Sequence, residues 1–252
     1  AIRHSDIYNL YLFRNILNTA VELKQTEGLT DSVVDKKMKK FAFRYQSDNE
    51  YQFLPESPEE WLGVNGIISQ KWQGYESRET QIELAVDTYH TFTDDSLILA
   101  EAGTGLGKSL AYLTAGILNR KKTEVPFLVS TYTKNLQDQL FYKDIPALAE
   151  TIDLDISAVL VKGRNNYVCL TRLEQLLSNP RNLTKMDCEN ILPILVWKEY
   201  TQTGDISECH GFKINVAGRL WSMVRSERGY CSTYRCSRHN GCFVGRIREE
   251  IH

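Results

Sequence analysis

The sequence has no apolar run approaching the roughly 18 residues of a membrane span, and nothing at its start has the pattern of a signal peptide. Membrane insertion and secretion are therefore not expected, and the cytoplasm is the expected location. An excess of one charge is also lacking: 30 Lys and Arg face 32 Asp and Glu, a formal net charge of −2. That balance excludes a polybasic, histone-like mode of nucleic-acid binding but leaves room for a local basic groove. There is no internal repeat, no low-complexity tract and no D-E-x-[HD] carboxylate motif. What is present is ordinary globular composition, 42% hydrophobic over 252 residues, long enough to bury a core without disulfides or metals. The chain opens Ala1-Ile2-Arg3-His4 and stops at Glu249-Glu250-Ile251-His252, so a piece of a longer protein is expected.

The charge is unevenly placed. Residues 51–102 carry ten acids against Lys71 and Arg78, a net of −8, whereas residues 213–252 carry eight bases against three acids, a net of +5. A nucleic acid would prefer the second region. Apolar periodicity around Ile7, Leu10, Leu17 and Val21 predicts a helical N-terminal extension over 1–45. Residues 46–74, with Pro55, Pro58, Gly63, Gly66 and Gly74, read as a linker whose Trp61, Leu62 and Trp72 pack onto a neighbouring surface. From residue 75 the pattern alternates. Short apolar runs at 96–100, 126–130 and 157–161 predict strands, and helices are expected over 109–118 and 133–142. That order predicts an α/β fold with a parallel sheet and right-handed crossovers. Residues 170–230 read as helical, and 231–242 as a cysteine-dense loop.

Between the first strand and the first helix lies Ala102-Gly103-Thr104-Gly105-Leu106-Gly107-Lys108-Ser109, the [AG]-x4-G-K-[ST] phosphate loop in its required context. Glycines let backbone amides curl around a triphosphate, and the helix N-terminus adds its positive dipole end. Lys108 is placed to reach the β- and γ-phosphates, and the Ser109 hydroxyl to ligate Mg²⁺. The loop alone leaves the reaction open, because kinases, GTPases and motor ATPases share it.

The flanks narrow the class. Tyr75-Glu76-Ser77-Arg78-Glu79-Thr80-Gln81 resembles the adenine-recognising motif of superfamily 2 helicases. Val129 to Leu140 resembles their motif Ia, and Lys162-Gly163-Arg164-Asn165-Asn166-Tyr167-Val168-Cys169 is similar to a segment of the DinG/XPD-like iron–sulfur helicases. The resemblance covers about 60–250 and implies a 5′–3′ ATP-dependent DNA helicase acting as a monomer on DNA with a single-stranded 5′ tail. It implies a RecA-like P-loop NTPase domain beginning at 75–162, an inserted, mainly helical iron–sulfur domain over 163–245, and a return to the RecA-like domain at 246–252. By the same resemblance Gln81 reads adenine, Arg78 supports nucleotide or loop, and Thr131, Thr133, Lys134 and Asn135 contact single-stranded DNA. Leu106 departs from the small or hydroxyl residue usual there. Gln81 as a solvated helix residue and Thr133 as a simple helix cap are the plainer alternatives.

Six cysteines occur, and Cys231, Cys236 and Cys242 form C-x4-C-x5-C. A cubane cluster or a tetrahedral zinc site needs four thiolates. The resemblance nominates Cys169 as the fourth and a [4Fe–4S] cluster ahead of zinc. Cys188 and Cys209 are left as small buried hydrophobes. Arg235, Arg238, Arg246 and Arg248 interleave with Tyr230, Tyr234 and Phe243, a combination suited to single strands, where charge tracks phosphate and rings stack on bases. Asp6, two residues after His4, faintly resembles the last metal-binding Asp of an exonuclease domain, and it is equally a helix cap. Two other readings compete with the helicase. One is a redox-sensing module that binds nucleic acid through its cluster, and the other is an exonuclease-linked scaffold with a decayed motor.

Overall fold

The computed structural model describes residues 39–48, 55–179, 183–231, 236 and 242–251. The chain divides into two compact units, 43–158 and 1–42 with 159–252. Nearly all of the expected N-terminal helical extension lies outside the described residues. Its described end forms strand β1, Ala42–Tyr45, which pairs with β2, Ile156–Val159. The pairing is antiparallel: the Leu160 amide donates to Phe41 O, and at the other end the Ser47 amide donates to Asp155.

In the unit spanning 43–158, residues 55–74 hold two short helices, α1 (Pro58–Leu62) and α2 (Ile67–Lys71), where composition alone reads as linker. A capping box starts α1. The Glu60 amide donates to Ser57 Oγ, the Ser57 amide donates to the Glu60 carboxylate, and Pro58 sits where no backbone donor is needed. Trp61 and Leu62 are fully buried, and Trp72 packs against the same cluster. Two longer helices, α3 (Glu79–Thr93) and α4 (Lys108–Thr123), pack on each other and supply Ala85, Leu113 and Leu118 to that core. Next comes α5 (Lys134–Gln139), capped by Thr133, whose hydroxyl accepts from the Leu136 amide. It runs through a π-helical stretch, Leu140–Asp144, into α6 (Ile145–Ile152). Pro146 explains the widening: it has no N–H to give the carbonyl four residues back, and its ring crowds that turn.

The parallel sheet expected from the sequence is not formed among the described residues. Runs 96–100 and 126–130 are extended without a ladder. Leu97 and Leu99 are 96% and 99% exposed, and Leu128 is 88% exposed, whereas Ile98 is half-buried and Phe127 and Val129 pack on the core. One face of each run is therefore covered. A parallel sheet needs cover on both faces and a neighbouring strand to accept its hydrogen bonds. The Phe127 ring lies over Gly116, where an added Cβ would come within 2.5 Å of it.

In the other unit, α7 (Leu170–Ser178), α8 (Lys185–Trp197) and α9 (Gly218–Val224) bear out the helical reading of 170–230, and α10 (Phe243–Ile251) follows them in sequence. Val168, Leu173, Ile191, Ile194, Trp197, Leu220 and Val224 form its core. A second cluster joins Tyr167 to Val244 and Ile247. A capping box between Thr184 and Asp187 starts α8, and Arg219 from α9 pairs with the same carboxylate.

Candidate functional site

The phosphate loop leads directly into α4. Gly105 and Gly107 have φ of +82° and +84°, a left-handed backbone that glycine adopts without penalty. At Gly103 and Gly105 an added Cβ would meet nothing within 4 Å, so the space beside the loop is open to a phosphate. Lys108 Nζ donates to Ala102 O at 2.6 Å and Gly103 O at 2.8 Å, closing the loop upon itself. Ser109 Oγ is half-buried and accepts from Tyr112 OH at 3.3 Å. Thr104 is exposed and Leu106 half-buried, and the loop at Leu106 keeps its turn.

The structure brings Arg78 and Gln81 onto this loop. Arg78 Nη1 donates to Gly105 O, and Gln81 Nε2 donates to Gly107 O at 2.9 Å. Gln81 is 3% exposed, not solvated. Its Oε1 accepts from Tyr75 OH at 2.9 Å. Burial pushes the Tyr75 phenol up to about 12, against the opposing pull of Arg78, so it stays a donor. Tyr75 as the partner of Gln81 could not be read from sequence, because nothing in the spacing fixes where a loop tyrosine points.

Thr131, Thr133, Lys134 and Asn135 lie on the turn into α5. Thr131 Oγ1 donates to Thr133 O at 3.1 Å, Thr133 serves as the cap, and Lys134 and Asn135 are exposed.

The segment Lys162–Cys169 is held by buried polar contacts. Lys162 Nζ donates to Asp205 Oδ2 at 2.7 Å, and the Lys162 amide donates to Tyr167 OH at 2.9 Å. Tyr167 bridges to Asp205 and Val168 to Arg225, while Trp221 Nε1 donates to Asn165 O at 2.8 Å. Close by, Glu208 accepts from Thr203 and from Thr201 (3.0 Å). Burial raises its pKa to about 7, against the pull of the two hydroxyls. Asp205 and Trp221 lie 43 and 56 residues from their partners Lys162 and Asn165, and no motif announces them.

Among the described residues the cysteines form no closed metal cage. Burial raises the Cys169 thiol, with Cys231 and Cys236 near enough to add to the effect. Thr171 Oγ1 lies 3.9 Å from Cys236 Sγ, and the Gly245 amide donates to Cys242 Sγ at 3.2 Å. Among the described residues no three His, Cys, Asp or Glu side chains group closely enough to hold a metal ion. Cys209 is buried, its thiol pushed up to about 12 by that burial, in keeping with a small core hydrophobe. His4, Asp6, Tyr234, Arg235, Arg238 and His239 lie outside the described residues. Among the described residues no helix is long and apolar enough to cross a membrane.

The loop has the sequence pattern and the left-handed glycines of a phosphate loop, and comparison with known proteins gives the family. No protein-family model matches the chain. It is 33% identical over 189 residues to ATP-dependent DNA helicase YoaA of Haemophilus influenzae, covering 75% of this chain and 29% of that protein. It is 32% identical over 188 residues to YoaA of Escherichia coli, covering 74% of this chain and 28% of that protein. It is also 32% identical over 170 residues to a Bacillus subtilis protein named 3′-5′ exonuclease DinG, covering 66% and 17%. The chain belongs to the DinG-like helicase family. It spans less than a third of the length of these relatives.

Proposed function

We propose that this chain is the ATP-binding front part of a DinG-like DNA helicase that takes ATP with Mg²⁺ and moves 5′ to 3′ on DNA with a single-stranded 5′ tail. The observation that carries the reading is the phosphate loop: two left-handed glycines, an open concave face, and Lys108 and Ser109 at the first turn of α4. On binding, the Lys108 ammonium exchanges the carbonyls of Ala102 and Gly103 for the β- and γ-phosphates, and Ser109 exchanges Tyr112 for the metal. Gly103, Thr104, Gly105, Leu106 and Gly107 offer the amides that wrap the phosphates. Thr131, Thr133, Lys134 and Asn135 are the proposed contacts to the DNA backbone, supported by their place at the exposed start of α5. Because the sequence contains no D-E-x-[HD] motif, these 252 residues supply no carboxylate of that kind to activate water. Nucleotide binding without appreciable turnover is the expected behaviour of this chain.

Cys169, Cys231, Cys236 and Cys242 are proposed as the ligands of a [4Fe–4S] cluster on their sequence pattern, which the placement of the thiols does not add to. Iron and sulfide near four per chain in anaerobically purified protein support that assignment, and stoichiometric zinc replaces it. The nucleotide reading is tested by titrating the chain and its Lys108→Ala variant with MgATP. Binding by the first and its loss in the second is the expected result, and equal titrations refute it.

A further inference from the structure

We propose that Arg172 is a positioning residue that holds Cys231 beside Cys169 and so makes of the two a thiol pair for a thiol-seeking ion. The inference concerns the pair alone and does not depend on what occupies it, so it stands or falls apart from the cluster assignment above. Cys169 is fixed by its backbone. It caps the start of α7, its amide donates to Val224 O at 2.8 Å, and its carbonyl accepts from the Leu173 amide at 2.9 Å. Cys231 lies in neither helix nor strand. It ends a turn in which the Tyr230 and Cys231 amides both donate to Glu227 O at 3.3 Å, with Gly229 at φ +98°. The side chain of Arg172 ties that turn to α7.

Arg172 stands in the first turn of α7, three residues after Cys169, with its side chain 16% exposed. Its Nη1 donates to Arg225 O at 2.8 Å and to Glu227 Oε2 at 3.1 Å, and its Nη2 donates to Ser222 O at 2.9 Å. The Ser222 carbonyl belongs to the last turn of α9, where carbonyls lack helical donors. The Ser226 amide, which would serve it in a longer helix, donates instead to Tyr167 O at 2.7 Å. The guanidinium carbon also lies 4.7 Å from the centre of the Tyr230 ring, and the face of an aromatic ring attracts a cation. Arg172 therefore grips two carbonyls ahead of the turn, the carboxylate of the residue that begins it, and the ring next to Cys231. A planar fork of five donors can hold all of these together, whereas a point charge cannot. The thiols carry a mark of the arrangement: burial raises the Cys169 pKa, and Cys231 is near enough to raise it further.

Phenylarsine oxide reads such a pair, because each binding event forms two As–S bonds and releases the oxide oxygen as water with both thiol protons. It is titrated into the metal-free 252-residue chain carrying Cys236→Ser and Cys242→Ser, and into that chain with Arg172→Gln, Glu227→Gln or Cys231→Ser added. Alkylation of Cys209, 2% exposed, by iodoacetamide is followed alongside as a measure of general loosening. Losing the ordering supplied by a charge-assisted hydrogen bond weakens binding about tenfold in Arg172→Gln. Glu227→Gln leaves the grip on the two carbonyls and removes only a partly exposed ion pair, so it weakens binding about twofold to fivefold. Both losses are expected with Cys209 alkylation unchanged. Cys231→Ser binding as tightly as its parent overturns the proposal, since no pair then exists, and so does unchanged affinity in Arg172→Gln. Should Arg172→Gln speed alkylation of Cys209, Glu227→Gln decides, and equal affinity there overturns the proposal.

Discussion

Lys162→Met tests whether the K-G-R-x-N-Y segment is anchored as described. Lys162 and Asp205 side chains are 3% and 6% exposed and 2.7 Å apart. Removing one partner of such a pair costs about 3–5 kcal/mol, mostly because the other charge stays buried without a counter-ion. Here Asp205 Oδ1 still accepts from the Ser207 amide at 3.0 Å, which keeps one donor on the orphaned carboxylate and places the loss at the lower end, about 3 kcal/mol. With a urea slope of about 2 kcal/mol per M, the unfolding midpoint falls by about 1.5 M. Fluorescence follows the transition through Trp197 and Trp221, 0% and 2% exposed in the same unit. In Lys162→Met with Asp205→Asn, the neutral amide keeps an oxygen for the Ser207 cap without an unpaired charge. The double variant should therefore regain most of the loss. A Lys162→Met stability within about 0.5 kcal/mol of the parent, or a double variant no better than the single, refutes the buried pair as an anchor.

Four further outcomes follow from the same geometry. Gly107→Ala forces an L-residue to φ +84° against Gln81, so it should lower stability by about 1–2 kcal/mol and abolish triphosphate binding. Gly103→Ala, in open space, should leave the urea midpoint unchanged. Glu208 titrates near 7 in the folded chain against a reference of 4.5, because burial penalises its charge. The protonated form is thus favoured by folding: its stabilising contribution is complete below pH 4.5 and is lost as pH rises to about 7. Glu208→Gln should flatten the stability–pH curve in that window, and an unchanged slope would show that Glu208 is not its source. Gly116→Val should displace the Phe127 ring, whose atoms an added Cβ already meets at 2.5 Å. It should speed proteolysis within 124–130, and identical digestion kinetics would show that the ring does not hold this segment.

How much of the fold is legible in the sequence depends on what each element needs in order to form. Helix signals are local. Thr133 with its amphipathic run predicted α5, and Gly107-Lys108-Ser109 predicted the start of α4 to within one residue. Ser57-Pro58-x-Glu60 is equally local, yet the surrounding prolines and glycines outweighed it and a linker was expected over α1 and α2. Strand signals are not local. Runs 96–100 and 126–130 have the composition of buried strands, but a strand exists only when a neighbouring strand shares a hydrogen-bond ladder with it, and among the described residues none does so. The pairing that does form joins Ala42–Tyr45 to Ile156–Val159 across more than a hundred residues, a separation that no window of sequence spans.

The candidate site divides in the same way. The phosphate loop is one short stretch whose spacing is dictated by the size of a phosphate, so eight residues announce it. Its supports are not contiguous with it. Arg78 and Gln81 were visible as a motif, but their attachment to Gly105 and Gly107 depends on α3 lying against α4. The direction of Tyr75 depends in turn on Leu62 and Ser77. The four cysteines show the limit from the other side: regular spacing names candidate ligands, but a cage requires four sulfurs to meet, and that depends on the packing around Cys169 and Cys242. Sequence spacing therefore identifies the groups that touch a ligand more readily than the groups that aim them.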